Sequence, residues 1–350
     1  MAVDSVSPRK PPHAGQGRAV EGLWRLRRPA VFGLALLLVL LSLSAAPAGQ
    51  ADQSEKAEEP WLVGLRVKRL FNSHTSYEFG NPYPPGQVPL SRLEFPLDSW
   101  WAGVELRRDF PRWSFGLEAL RNLSREALRR AKDSDWDDDH ATGIKTIYSE
   151  SDCRLEPSYM VRADADLKVS DWLGLPQWFD LRPVMGVRWQ RFEFVDHDGT
   201  QYYPAPGDVR PPTPLPGDGI RFKQTYWQYF LGVRAACDLQ NSPDLPLVKL
   251  LMQLDWAYVE GHNQDHHLLR EGSRFTYEDT IGDAWHASLG LRMGIWQNLT
   301  AGLELEHMLI HTTGSHRLEN RPFGIDFIVN NGVTVWSEQT SLMLTLEYRF

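Results

Sequence analysis

The last ten residues, SLMLTLEYRF, restrict the possible folds more than any other stretch. Leu342, Leu344, Leu346, Tyr348 and Phe350 fall on one face of an extended chain and Ser341, Thr345, Glu347 and Arg349 on the other, with only Met343 apolar among them. Successive side chains of a strand point to opposite sides, so the pattern predicts a strand with one apolar and one charged face. It recurs. In YMVRADADLKV, Tyr159, Val161, Ala163, Ala165, Leu167 and Val169 oppose Arg162, Asp164, Asp166 and Lys168; in LVKLLMQLDWAYVEG, Leu250, Met252, Leu254, Trp256 and Tyr258 oppose Lys249, Gln253 and Asp255. Segments starting at 61, 98, 112, 179, 226, 284 and 299 bring the predicted strands to ten.

The connections alternate in length. DFPR, SDWLGLPQW, LQNSPDLP and WQN are short, whereas the regions near 74–92, 123–152, 198–222, 262–280 and 312–336 are long. This predicts an all-β fold: a ten-stranded antiparallel transmembrane β-barrel with short periplasmic turns and long extracellular loops. The terminal phenylalanine resembles the C-terminal signal of bacterial outer-membrane barrels, and 14 Trp and 11 Tyr suit aromatic girdles. A soluble sandwich would alternate too, but would have no use for so many opposite charges on its second face. In a barrel, Arg66, Lys68, Glu105, Arg107, Glu118, Asp164, Asp166, Arg182, Arg188, Arg234, Asp255, Arg292, Glu304 and Glu306 line the lumen. Ten strands are too few for a wide channel, which takes about 16, so the lumen is expected to be closed by ion pairs.

The N-terminus supplies the compartment. Arg25, Arg27 and Arg28 precede an apolar run from Val31 to Leu43 and small residues at Ala46 and Ala48, which reads as a secretory signal peptide over 1–48 with a long charged n-region, followed by the barrel over 49–350. Cleavage after Ala48 would leave 31 Lys+Arg against 43 Asp+Glu, an acidic exported chain suited to cationic partners and not to nucleic acid. The two cysteines, Cys153 and Cys237, fall at opposite ends of the predicted barrel and are expected to be unpaired.

Two polar clusters stand apart from the strand pattern. AKDSDWDDDHATG places five aspartates in the seven positions from 133 to 139. A run like this is a solvated loop, a calcium loop, or a strand whose Asp133 and Asp135 point the same way toward a reaction partner. The calcium reading fits badly, because Asp138 occupies the required glycine position and Ile144 that of the terminal glutamate. In the second cluster, GHNQDHHLLR, alternation carried upward from Tyr258 keeps Asn263, Asp265 and His267 on the inner face at the outer rim. A carboxylate beside an imidazole orients it and supports its protonated form, as a general base requires. The same stretch also reads as a polar loop, or as a weak metal site through His262, His266 and His267.

Together these residues resemble the omptin family of outer-membrane proteases, whose second outer region carries D-x-D-W and whose fourth carries D-x-H, here DSDW at 133–136 and DHH at 265–267. The resemblance covers nearly all of the chain after the leader. It implies an endopeptidase of the Gram-negative outer membrane with its active site facing outside. Asp133 and Asp135 would form one half of that site and Asp265 with His267 the other, with no metal and no cofactor beyond lipopolysaccharide as an activating lipid. Implied partners are peptide or protein substrates, cationic ones in particular. The family's acidic residue two before the dyad aspartate, which helps hold a basic substrate side chain, is Asn263 here. Of the positions that meet lipopolysaccharide phosphates on the outer wall, Arg191 is kept, while Val187, Trp189 and Thr225 depart from the pattern. The competing expectation is a non-catalytic barrel, an adhesin or structural protein on the same scaffold.

Overall fold

The computed structural model describes residues 61–81, 86–239, 248–272 and 274–350. The leader peptide read in 1–48 lies outside them. The strands are β1 (Trp61–Asn81), β2 (Gln87–Pro96), β3 (Trp100–Asp109), β4 (Trp113–Asn122), β5 (Ala131–Asp135), β6 (Ile147–Leu155), β7 (Tyr159–Leu167), β8 (Phe179–Tyr202), β9 (Thr213–Asp238), β10 (Val248–His267), β11 (Arg274–Trp296), β12 (Leu299–Asn320) and β13 (Ile325–Arg349). A ring of ten, β1-β3-β4-β7-β8-β9-β10-β11-β12-β13, closes where β13 pairs with β1 from Leu62↔Arg349 to Phe79↔Val333. Closure leaves no edge with unpaired backbone groups, which is what lets a sheet stand in lipid.

Above this ring a second tier runs β1-β2-β5-β6-β8. β2, β5 and β6 prolong the lines of β3, β4 and β7 across breaks at 97–99, 123–130 and 156–158. The regions read as long loops are therefore mostly strand. β8 and β9 stay paired to Gln201↔Thr213, and β10 and β11 to His267↔Arg274. Above the apolar band the inward face stays buried while the outward face turns polar, so the apolar outward signal fades while the backbone ladder continues.

The faces divide as the sequence predicts. Leu65, Leu231 and Leu344 stand more than half exposed on the outside, where lipid replaces water. Inside, Arg66 pairs with Glu105 and Glu118, Lys68 with Glu306, and Arg107 and Arg234 with Asp164 and Asp166, filling the lower lumen with ion pairs. Arg188 meets Asp255 through two bonds of 2.7 Å. A layer of amides lies above, Gln190 bonding Gln228 and Gln339 at 3.0 to 3.2 Å. An aromatic layer closes the stack: Phe95 lies flat on Phe222 at 4.6 Å between centroids, with Tyr77 at 5.2 Å and Phe194 at 6.1 Å from Phe222. Phe222 is the register partner of Asp265, so this apolar layer forms the floor of the barrel mouth. Cys153 sits on β6 in the upper tier and Cys237 on β9 opposite Phe179 near the short turns; both thiols are free.

Candidate active site

β10 carries alternation beyond the membrane band as anticipated: Asn263 and Asp265 are buried and His267 nearly so, while His262 is exposed on the other face. His262 Nδ1 is instead bonded to Asp279 at 2.8 Å, and His266 stacks on Phe275 at 4.0 Å. The three histidines thus divide between two faces of one strand, and the weak metal reading has no geometric basis.

Asp265 is wholly buried, with His267 Nε2 3.0 Å from Oδ2 and the Tyr77 hydroxyl donating to the same oxygen. Burial works against its ionisation, but the His267 charge, the His267 N–H and the Tyr77 hydroxyl outweigh it and hold the carboxyl below its ordinary range. His267 shows the reciprocal balance: burial favours the neutral ring, and the Asp265 charge and hydrogen bond override it and raise the pKa. With Nε2 committed to Asp265, Nδ1 is the nitrogen that can take a proton.

The aspartate pair lies on β5, a five-residue strand between β2 and β6, where Leu93 faces Asp133 and Ser91 faces Asp135. Two apart on a strand, the carboxylates share a side. Trp136 anchors the chain just past the end of β5, with Arg92 5.7 Å and Lys145 5.2 Å from its ring. Burial, then the Asp135 charge, push Asp133 up to about 8, and the nearby charges of Asp265 and Asp196 add to the effect. Asp135 is raised by burial as well, against the Ser91 hydroxyl bond and the Arg270 charge. The His267 charge acts on both aspartates, which puts β5 within electrostatic range of the dyad. Asp137 and Asp139 are exposed, and Asp138 caps the His140 N–H at 2.8 Å, which leaves all three as rim charge.

Asn263 lies below the dyad, its amide nitrogen and oxygen both buried without a hydrogen-bond partner. Across the ladder stands Glu278, buried and raised above its ordinary range chiefly by burial, with His316 Nδ1 2.9 Å away. On the outer wall, Arg191 is about half exposed, 3.8 Å from Glu193, and with Glu156, Pro157, Tyr159 and Arg221 it lines an open pocket of about 460 Å³.

Tyr77, Ser91, Asp196 and Glu278 do not stand out in the sequence. Asp196 and Glu278 continue the inward parity of Phe192 and Phe194 on β8 and of His286 on β11, so alternation alone could have found them. Tyr77 could not be found that way. A bulge between Phe71 and His74, with Asn72 at φ 49°, moves the inward face of β1 from even positions (Arg66, Lys68, Leu70) to odd ones (Ser73, Thr75, Tyr77).

A closed ten-stranded antiparallel barrel with an apolar outer face and a lumen filled by ion pairs is an outer-membrane-type barrel. The sequence profile of the Omptin family matches residues 103–350, and the chain belongs to that family. The fold is similar to the crystal structure of the outer membrane protease OmpT from Escherichia coli, with a TM-score of 0.73 at 15% identity over 86% of this chain and 99% of that one. The translocator domain of the autotransporter NalP from Neisseria meningitidis gives a TM-score of 0.32 at 8% identity over 92% and 96%. No curated protein matches the sequence.

Proposed function

We propose that the protein is an omptin-type endopeptidase of the Gram-negative outer membrane, with its cleft facing outside. The observation that carries this reading is the buried Asp265–His267 pair at the end of β10, whose histidine charge acts on Asp133 and Asp135. A water between the walls gives a proton to His267 Nδ1 as its oxygen attacks the peptide carbonyl. Asp133, protonated, donates a hydrogen bond to the developing oxyanion, and Asp265 steadies the imidazolium. When the C–N bond breaks, His267 returns the proton to the leaving amine. Asp135 and the rim aspartates draw cationic peptides in, and Asn263 offers its unpartnered amide to a substrate side chain.

This division of protons predicts a bell-shaped pH dependence. Activity needs neutral His267, so it rises with pH through a pKa above the ordinary imidazole value; it needs protonated Asp133, so it falls as that group ionises near 8. Asp133→Asn keeps a hydrogen-bond donor that does not titrate, and is expected to lower the rate while abolishing the alkaline limb. An alkaline limb unchanged in this variant assigns the limb to another group. The reading as a whole is tested with folded protein and lipopolysaccharide against a broad peptide library without added metal. Cleavage that survives a chelator supports it, and no cleavage leaves the non-catalytic barrel.

Lipopolysaccharide is the proposed activating lipid, with Arg191 meeting a phosphate from the outer-wall pocket. Arg191→Ala is expected to weaken lipid activation by roughly 10-fold to 100-fold, the scale of one charge-assisted contact, with folding in detergent unchanged. Equal lipid dependence in wild type and variant removes Arg191 from that role.

A further inference from the structure

The acid that neither half of the predicted site contains is Asp196, on β8. It is 7% exposed, and its Oδ1 accepts the backbone N–H of Ile220 on β9 while the Ser151 hydroxyl on β6 also bonds the carboxylate. The neighbouring strand β9 breaks register here. The β8–β9 ladder shifts between Val195↔Arg221 and His197↔Asp218, with the extra residue on β9, which frees the Ile220 N–H; on the other side Cys153 is the register partner of Asp196, and Ser151, two residues away, shares its face. Gly219 completes the seat, because a Cβ there would lie 2.8 Å from Asp196 Oδ1. A bulge and a glycine on β9 thus serve one carboxylate, and bulges are a common means of re-aiming a group beside a site.

Resting on the protease reading above, we propose that Asp196 is a positioning residue of the cleft, a third acid fixed by a bulge of the neighbouring strand β9, that sets how protons are shared between Asp133 and His267. Ile220, whose N–H it accepts, is the register partner of His267 on β10, so Asp196 sits one strand away from the dyad, and from there its charge acts on Asp133, Asp265 and His267. Of the other charges at this level, Arg154 on β6 is paired with Asp218 on β9 at 2.9 Å, His197 with Asp198 at 3.0 Å, and Arg221 lines the outer-wall pocket, while Arg274 on β11, the register partner of His267, opposes Asp196 by lowering the His267 pKa and Arg270 acts on Asp135. Burial holds Asp196 itself up at about 6, against the Ile220 and Ser151 bonds, so it is ionised through the neutral range where the cleft works. A fixed negative charge favours the proton on both neighbours: it keeps Asp133 a donor, whose Oδ1 is buried without a partner, and it strengthens His267 as a base.

The test is Asp196→Asn, which keeps the shape and the acceptor oxygen but removes the charge. His267 is followed by NMR of ring-labelled protein in detergent micelles, its signal assigned by its loss in His267→Ala, and the pH profile of peptide cleavage is read alongside. Both limbs of the profile and the His267 titration are expected to move to lower pH, by roughly one unit, the usual scale for a neighbouring charge. Ser151→Ala removes one clamping donor and no charge, and is expected to move the His267 titration the same way by less. Asp218→Asn, a nearby acid engaged with Arg154, is expected to leave it in place. An unmoved His267 titration in folded Asp196→Asn overturns the proposal, as does an unmoved titration in Ser151→Ala should the first variant not fold. If wild-type protein cleaves no peptide the protease reading falls, while the His267 titration still decides the role of Asp196.

Discussion

His267→Ala is expected to lower kcat/KM by about 10² to 10⁴, the usual worth of a positioned acid–base group, with the loss in kcat and KM little changed. The side chain is the proposed acceptor of the water proton and its donor to the leaving amine, and the two histidines nearest it in sequence cannot replace it: His262 is bonded to Asp279 on the outer face of β10, and His266 is stacked on Phe275. Asp265→Asn is expected to fall in the same range although the ring remains, because an amide cannot balance the imidazolium and is free to present either an N–H or an oxygen to Nε2. Both variants should keep the detergent-resistant mobility of the folded barrel, since β10 pairs with β9 and β11 through backbone bonds up to His267. Peptide hydrolysis at wild-type rate by folded His267→Ala removes the dyad from the mechanism.

The second large effect is on stability and arises far from the cleft. Asp255→Ala is expected to cost about 3 to 5 kcal/mol, the penalty for stranding one member of a buried ion pair. Asp255 is 2% exposed and holds Arg188 through both oxygens, while His286 Nδ1 at 2.8 Å and Gln253 Nε2 at 2.6 Å meet its Oδ2. Alanine leaves the guanidinium, the ring and the amide without their common acceptor inside a lumen already filled by other pairs. The effect is read as a drop in the urea midpoint in lipid vesicles at constant slope. Asp208→Ala at a hairpin tip, where the Asp208–Arg210 pair is exposed, serves as the comparison and should leave the midpoint in place. Equal midpoints for Asp255→Ala and wild type mean that the lumen pairs do not hold the barrel closed.

Within the membrane band the sequence by itself determined almost everything. One side of each strand meets lipid and the other a polar lumen, and a period of two cannot satisfy both environments in any other register. The ten strands, their order and the inward charges from Arg66 to Glu306 are consequences of that constraint, and β10 carries the same parity upward to Asp265 and His267. Above the band the constraint weakens, because a polar outer face no longer contrasts with a polar inner one, although inward side chains remain buried. There the tertiary structure decided. It made strands of the regions read as loops, and through the β1 bulge it turned Tyr77 inward against a parity the sequence had established lower down. It also brought β5 within range of the His267 charge, and gathered Ile220 and Ser151 from separate strands around Asp196. Burial itself was the last thing decided there: a sequence places carboxylates in order along a chain, but the aromatic floor and the walls of the mouth determine which of them keeps a proton.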